Sequence, residues 1–375
     1  MTRREFFPKA AAAAIGAGAL LSTEELVRRG SAFASPAVNS EAKSNSGGME
    51  YRTLGKTGIS VSEIGFGSHL DPDKMGDPEG RAAIIRKGLE GGINLFDIYD
   101  HTYHQFELMS EVLGPVRQDV VISLVAIGDT MAEIERALTT FNTDYIDLYR
   151  YVGRPGHLDV LQQAKEQGKI RAIGVVDHDH SGLVRELNSH PELDYLMLPY
   201  NFQHQRFSHA TFAESASWGQ IKADRAALGS RKEPSAKAIA RNEADEDCLW
   251  GACSDPDLQP LIEETGVGVL AIKPFAGGAA YKLSPSDPVL QELQAAGATL
   301  PQAALKFVLS ARDIASAVGA MNSIEQVVEN CSASGGDGFS QIDAELLQLY
   351  ADAAEASKGG FLPDKYKWLE TEWKA

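Results

Sequence analysis

The chain has 375 residues, 43% of them hydrophobic, with Lys+Arg 35 against Asp+Glu 52 and a formal net charge of −17. Length and apolar share suit one large globular domain or two ordinary ones and exclude general disorder, while the acidic balance opposes nucleic acid and anionic membrane surfaces and leaves small molecules as the expected partners. Three cysteines exclude a disulfide scaffold and a four-cysteine metal site; Cys248 and Cys253 can pair in an oxidising compartment, leaving Cys331 single.

At the N-terminus, Arg3 and Arg4 precede a weakly apolar stretch from Ala10 to Leu21, and Ala32-Phe33-Ala34 supplies small residues for cleavage. A bilayer needs ~20 helical residues, so this stretch is too short to span one, but it suits the core of a signal peptide. Residues 1–34 resemble a twin-arginine signal, an address read by the twin-arginine export machinery and not an anchor. The expectation is a periplasmic or otherwise exported protein with no stable membrane insertion after signal removal; a short amphipathic helix is the alternative. Residues 35–49, rich in Ser, Asn and Ala, read as a linker.

From residue 50 onward short apolar runs alternate with amphipathic stretches. Strands are expected at Ile59 to Gly65, Ile93 to Asp97, Val120 to Val125, Tyr145 to Tyr151, Ile170 to Val176, Tyr195 to Pro199, Val267 to Lys273 and Ile314 to Val318. Helices are expected between them, among others at Gly80 to Leu89, Met131 to Thr140, Val160 to Gln167, Leu183 to Leu187, Leu258 to Glu264 and Ala303 to Leu309. Strands apolar on both faces, each followed by a helix, imply a parallel sheet under a helical layer, and eight such units close a TIM (β/α)8 barrel. A doubly wound sheet would need a phosphate fingerprint, and Gly65-Phe66-Gly67 has no third glycine at the required spacing. Residues 202–255 break the rhythm and read as an insertion on a βα loop, either bordering the site or a solvated excursion.

In such a barrel chemistry sits where strands end. After the second strand comes Asp97-Ile98-Tyr99-Asp100-His101-Thr102-Tyr103-His104, His69 follows the first, and Asp177-His178-Asp179-His180 follows the fifth. Carboxylates, phenols and imidazoles are the groups that move protons near neutral pH. His69, His101, His104 and His178 with Asp97, Asp100 and Asp177 are also metal-ligand types, but no H-x-x-x-H pair is present and no metal is assigned.

Several blocks then carry a resemblance: Tyr51 to Ser62, Gly92 to Asp97, Asp144 to Tyr149, Ile170 to Val175, Ala271 to Gly278 and Ile324 to Asn330. In these residues, and in their order, the chain resembles the aldo-keto reductases. The resemblance implies NADP-dependent (or NAD-dependent) reduction of a carbonyl, using an Asp, a Tyr, a Lys and a His from successive strand ends. Asp97 falls on the Asp position. Thr102 falls on the Tyr position, with Tyr103 one place beyond as the implied proton donor, and His101 and His104 as alternatives to it. The Lys and His positions fall on Val125 and Val152, so the tetrad is degenerate and Asp97, beside Val125, is expected to lack a neutralising partner.

On the cofactor side the resemblance implies roles for Lys273, Pro274 and Phe275 after the seventh strand and for Gln326, Glu329 and Asn330 near the adenine. Asp177 stands where the family has the Asn of its carboxamide-holding pair. Met197 replaces a Gln, and the usual Arg near Met321 is absent. Two classes of function stay open: an exported oxidoreductase with a rearranged acid group, or an altered barrel acting as a small-molecule binding protein or a non-hydride, metal-dependent enzyme.

Overall fold

The structure, a computed structural model, describes residues 48–68, 77–98, 105–126, 130–152, 157–177, 180–202, 257–275, 287–336 and 338–356. The chain first forms a small antiparallel hairpin, β1 (Tyr51–Thr53) and β2 (Ser60–Ser62), with Tyr51 opposite Ser62. The barrel strands follow: β3 (Ile64–Gly67), β4 (Leu95–Ile98), β5 (Val121–Ala126), β6 (Ile146–Tyr151), β7 (Ile170–Val176), β8 (Tyr195–Pro199), β9 (Gly268–Ile272) and β10 (Ile314–Ala320). All pair in parallel and β10 returns to β3, closing an eight-stranded barrel.

Helices wrap the wall: α1 (Pro78–Glu90), α2 (Gln105–Leu113), α3 (Thr130–Thr140), α4 (His157–Glu166), α5 (His180–Ser189), α6 (Leu258–Thr265), α7 (Pro288–Ala295), α8 (Leu300–Ser310), α9 (Ile324–Cys331) and α10 (Gln341–Ala356). Their starts follow local chemistry. Asp77 and Asp287 accept backbone N–H groups ahead of a proline in the first turn of α1 and α7, which satisfies donors the helix leaves open.

Burial divides the apolar residues into two sets. The larger lies between the outward faces of the strands and the helices, with Phe66, Phe96, Ile122, Leu196 and Leu305 among its buried members. The smaller fills the barrel interior: Leu54, Ile59 and Val61 of the hairpin region pack beneath Leu95, Leu148, Ala172, Tyr195 and Leu270. The hairpin therefore plugs the N-terminal end of the barrel and leaves the C-terminal end for chemistry. At Gly55, where φ is +46°, a Cβ would run into the backbone at Gly266 and Gly268, so the plug seats only with glycine there.

The barrel expected from the apolar runs is present. The run Ile59 to Gly65 divides into β2 and β3, with Glu63 at the bend. Glu63 is buried, paired to Arg52 Nη2 at 2.6 Å and hydrogen-bonded by Ser334 Oγ at 2.8 Å, which turns the chain from the plug into the wall. Residues 1–47 and 203–256, which hold the expected signal and nearly all of the expected insertion, lie outside the described residues.

Candidate active site

Along a strand of a closed barrel, alternate residues face inward. From Leu95 and Leu148, both in the interior set, this rule carries Asp97 on β4 and Arg150 on β6 into the barrel. Both are fully buried, at 1% and 0% exposure. Asp97 is in register with Ser123 on β5, and Val125, two residues further on, is in register with Arg150. The guanidinium of Arg150 thus reaches past β5 to the Asp97 carboxylate. Nη1 donates to Oδ1 at 2.5 Å and Nη2 to Oδ2 at 3.1 Å, the forked geometry that suits arginine to carboxylate. Nη1 also donates to Ser123 Oγ at 3.0 Å, and that hydroxyl donates to Asp97 Oδ1 at 2.8 Å.

This corrects the sequence expectation for Asp97. Its neutralising partner exists and comes from the strand after the one that carries Val125. Val125 and Val176 are buried above the pair, with Val152 packed against the same apolar set. Val125 and Val152 thus present aliphatic surface to the barrel interior.

Tyr195, the first residue of β8, rises into the same interior and is 0% exposed. Its hydroxyl comes up against Ser123 and Arg150 without a well-formed hydrogen bond among the described residues. Burial pushes the phenol well above its ordinary range, Arg150 opposes that shift, and Asp97 adds to it. The ring fits because its neighbour is Gly174: a Cβ there would collide with the ring itself. Sequence reasoning missed Arg150, Ser123 and Tyr195. A visible signal existed for Arg150, a charged residue at an inward position of an otherwise apolar run.

The mouth has a second cluster beside β3, β9 and β10. Lys273 follows β9 in a left-handed conformation at φ 55°, and its carbonyl accepts from the buried Asn201 at 3.2 Å. Phe275 and Pro274 lie against Gly319 of β10, where a Cβ would stand 3.1 Å and 3.5 Å from their side chains. Gly67 and Gly319 let β3 and β10 approach closely at this end, a Cβ on Gly67 meeting Gly319 O at 3.0 Å. Gln326, Glu329 and Asn330 share one face of α9 by their spacing. Asn330 is buried, while Gln326 is exposed and its Oε1 accepts from Asn322 N at 2.7 Å. Ser323 in turn accepts from Gln326 N, so the pair caps the start of α9.

Beside this cap, Arg81 from the first turn of α1 is buried under the Phe66 ring and donates to Met321 O at 2.5 Å. Its Nε and Nη2 have no hydrogen-bond partner among the described residues, and burial brings its pKa down to about 10. Asp177 turns back from the end of β7, its carboxylate against Gly182 of α5. His180 is fully buried in the first turn of α5 and so is not on an open rim. His69, Asp100, His101, Tyr103, His104 and His178 lie outside the described residues. The structure therefore brings together Asp97 with three residues the sequence did not flag, and sets Lys273, Pro274 and Phe275 at a common edge of the mouth.

No family model matches the chain. Among curated proteins it is similar to L-galactose dehydrogenase of Arabidopsis thaliana, 24% identical over 76% of this chain and 88% of that protein. It is also similar to the aldo-keto reductase YhdN of Bacillus subtilis, 31% identical over 34% of this chain and 46% of the relative. Among solved structures it resembles the holo form of aldo-keto reductase AKR11C1 from Bacillus halodurans, with a TM-score of 0.55, 20% identity, and coverage of 85% of this chain and 99% of that one. An aldo-keto reductase from Klebsiella pneumoniae in complex with NADP and acetate gives 0.55 at 19% identity, covering 80% and 95%. These likenesses agree with the closed eight-stranded barrel.

Proposed function

We propose that this chain is an exported oxidoreductase of aldo-keto reductase type that uses NADP(H) to reduce the carbonyl of a small molecule. The observation that carries it is the Asp97 carboxylate, set in the barrel interior toward the mouth and gripped by a buried cation. An ion pair in a barrel interior is not a favoured way to gain stability, since an apolar filling of the same volume is often as good or better. Its place below the mouth, at the position where the resembling family keeps its Asp, gives it a chemical use. The named relatives, and neighbours solved with NADP, support the same reading.

The residues at the mouth fit a dinucleotide. Lys273 would offer its phosphates a cation, Pro274 and Phe275 would line it, and Gln326, Glu329 and Asn330 of α9 would offer it polar groups. The buried guanidinium of Arg81, with two nitrogens unmatched among the described residues, adds positive charge near the segment where the family's arginine is missing. When bound, NADPH supplies a hydride to the carbonyl carbon, and the carbonyl oxygen takes a proton. Tyr103 is the donor we assign, with His101 and His104 beside it in sequence; Asp177, at the sequence position where the family holds the carboxamide, would have to turn from Gly182 to do so. Aliphatic Val125 and Val152 exclude water from the carbonyl but give it no polar hold, so generic aldehydes should turn over slowly.

Quenching of protein fluorescence by NADPH, run beside a turnover assay with 4-nitrobenzaldehyde at enzyme excess, tests this. Saturable binding with slow NADPH oxidation that disappears in Tyr103→Phe is the expected outcome. Absence of both binding and oxidation overturns the oxidoreductase reading and favours a barrel kept for another purpose.

A further inference from the structure

Arg150 has no counterpart in the tetrad that the resemblance implies, yet among the described residues it is the cation that meets Asp97. Its geometry explains why a valine can stand at 125. A cation rooted at the end of β5 would reach Asp97 from the adjacent strand. Here the cation is rooted one strand further on, at the residue in register with Val125, and the longer arginine side chain spans β5 to the same carboxylate. Ser123, on the strand it crosses, bridges both partners. Gly174, in register with Arg150 on β7, admits the Tyr195 ring beneath the guanidinium. No residue of this seat is exposed, so the cation is held in one place and water does not screen it.

We infer that Arg150 is a positioning residue for the proposed reaction: from β6 it supplies to Asp97 the positive charge that the family places on β5, with Ser123 and Tyr195 fixing it there. This rests on the oxidoreductase reading. The consequence is chemical as well as geometric. An ammonium has a proton to lose in the alkaline range, whereas a guanidinium keeps its charge throughout it. The field that favours proton transfer from the donor to the substrate oxygen is then permanent, and alkaline loss of activity belongs to the donor alone.

The test uses the full mature chain with NADPH and 4-nitrobenzaldehyde, reading single-turnover rate, cofactor affinity and the pH profile. Arg150→Met should lower the rate by about 10²-fold or more while NADPH affinity changes little. Because that variant leaves Asp97 buried without a partner and can fail to fold, Val125→Lys/Arg150→Met moves the charge back to β5 and should recover at least about tenfold of the loss. Arg150→Lys should keep part of the rate near pH 7 and lose it at a lower pH than the unaltered protein, a displacement that a purely structural pair would not produce. A rate unchanged in folded Arg150→Met, or an Arg150→Lys profile that superimposes on the unaltered one, overturns the inference while leaving the function in place. An unaltered protein that neither binds nor oxidises NADPH removes both.

Discussion

Cys331 shows how burial alone decides a side chain's chemistry. Its sulfur packs against Gly91, and desolvation pushes the thiol from 9.0 to about 11, with Lys87 pulling the other way. The raised value means the folded state favours the protonated thiol, so this contribution to stability is complete below pH 9 and is lost as pH climbs through about 11. Iodoacetamide at pH 8 should therefore label Cys331 about 100-fold more slowly in the native protein than in urea, as read by peptide mass spectrometry; equal rates would mean the sulfur is open to solvent. Arg150 is the opposite case, a charge that burial does not silence because a carboxylate is fitted to it. Asp97 was legible from its place at a strand end. Arg150 was not, because motif spacing records neighbours along the chain and a guanidinium crossing an intervening strand leaves no such mark. Only the inward alternation from Leu148 hints at it.

At the level of elements, β7 and β8 are coupled through one missing atom. Gly174→Ala would drive a methyl group into the Tyr195 ring, and overpacking of this kind typically costs about 1–3 kcal/mol. Tyr195→Leu, which shortens the ring away, should recover most of that loss when combined with Gly174→Ala, giving a coupling in a double-mutant cycle that urea unfolding can measure. Strictly additive losses would show that the two do not compete for the same space. The strands were the readable part of this fold, since a parallel strand buried on both faces appears as an apolar run, and Ile170–Val176 and Tyr195–Pro199 fall on their expected bounds. The plug hairpin was hidden because Val61 and Ile64 belong to one apolar stretch. Its division depends on Glu63 finding Arg52 and Ser334, and Ser334 lies 271 residues away.

For the whole molecule, export is the property to test first. A fusion of residues 1–40 to a reporter should reach the periplasm only when the twin-arginine machinery is present, and Arg3→Lys with Arg4→Lys should hold it in the cytoplasm; retention of the unaltered fusion would remove the signal. That route would carry a folded protein, and the plug gives folding a timetable. Arg52 donates to Ile314 O, 262 residues later, Lys56 N to Gly266 O, and Glu50 N to Ser334 Oγ, 284 residues later. At ~5–20 residues per second a ribosome needs roughly 15–50 s to make the segment between the hairpin and its last partners. Leu54, Ile59 and Val61 are among the first core residues to emerge and among the last to be covered, so the nascent chain carries its stopper unseated until synthesis is almost done.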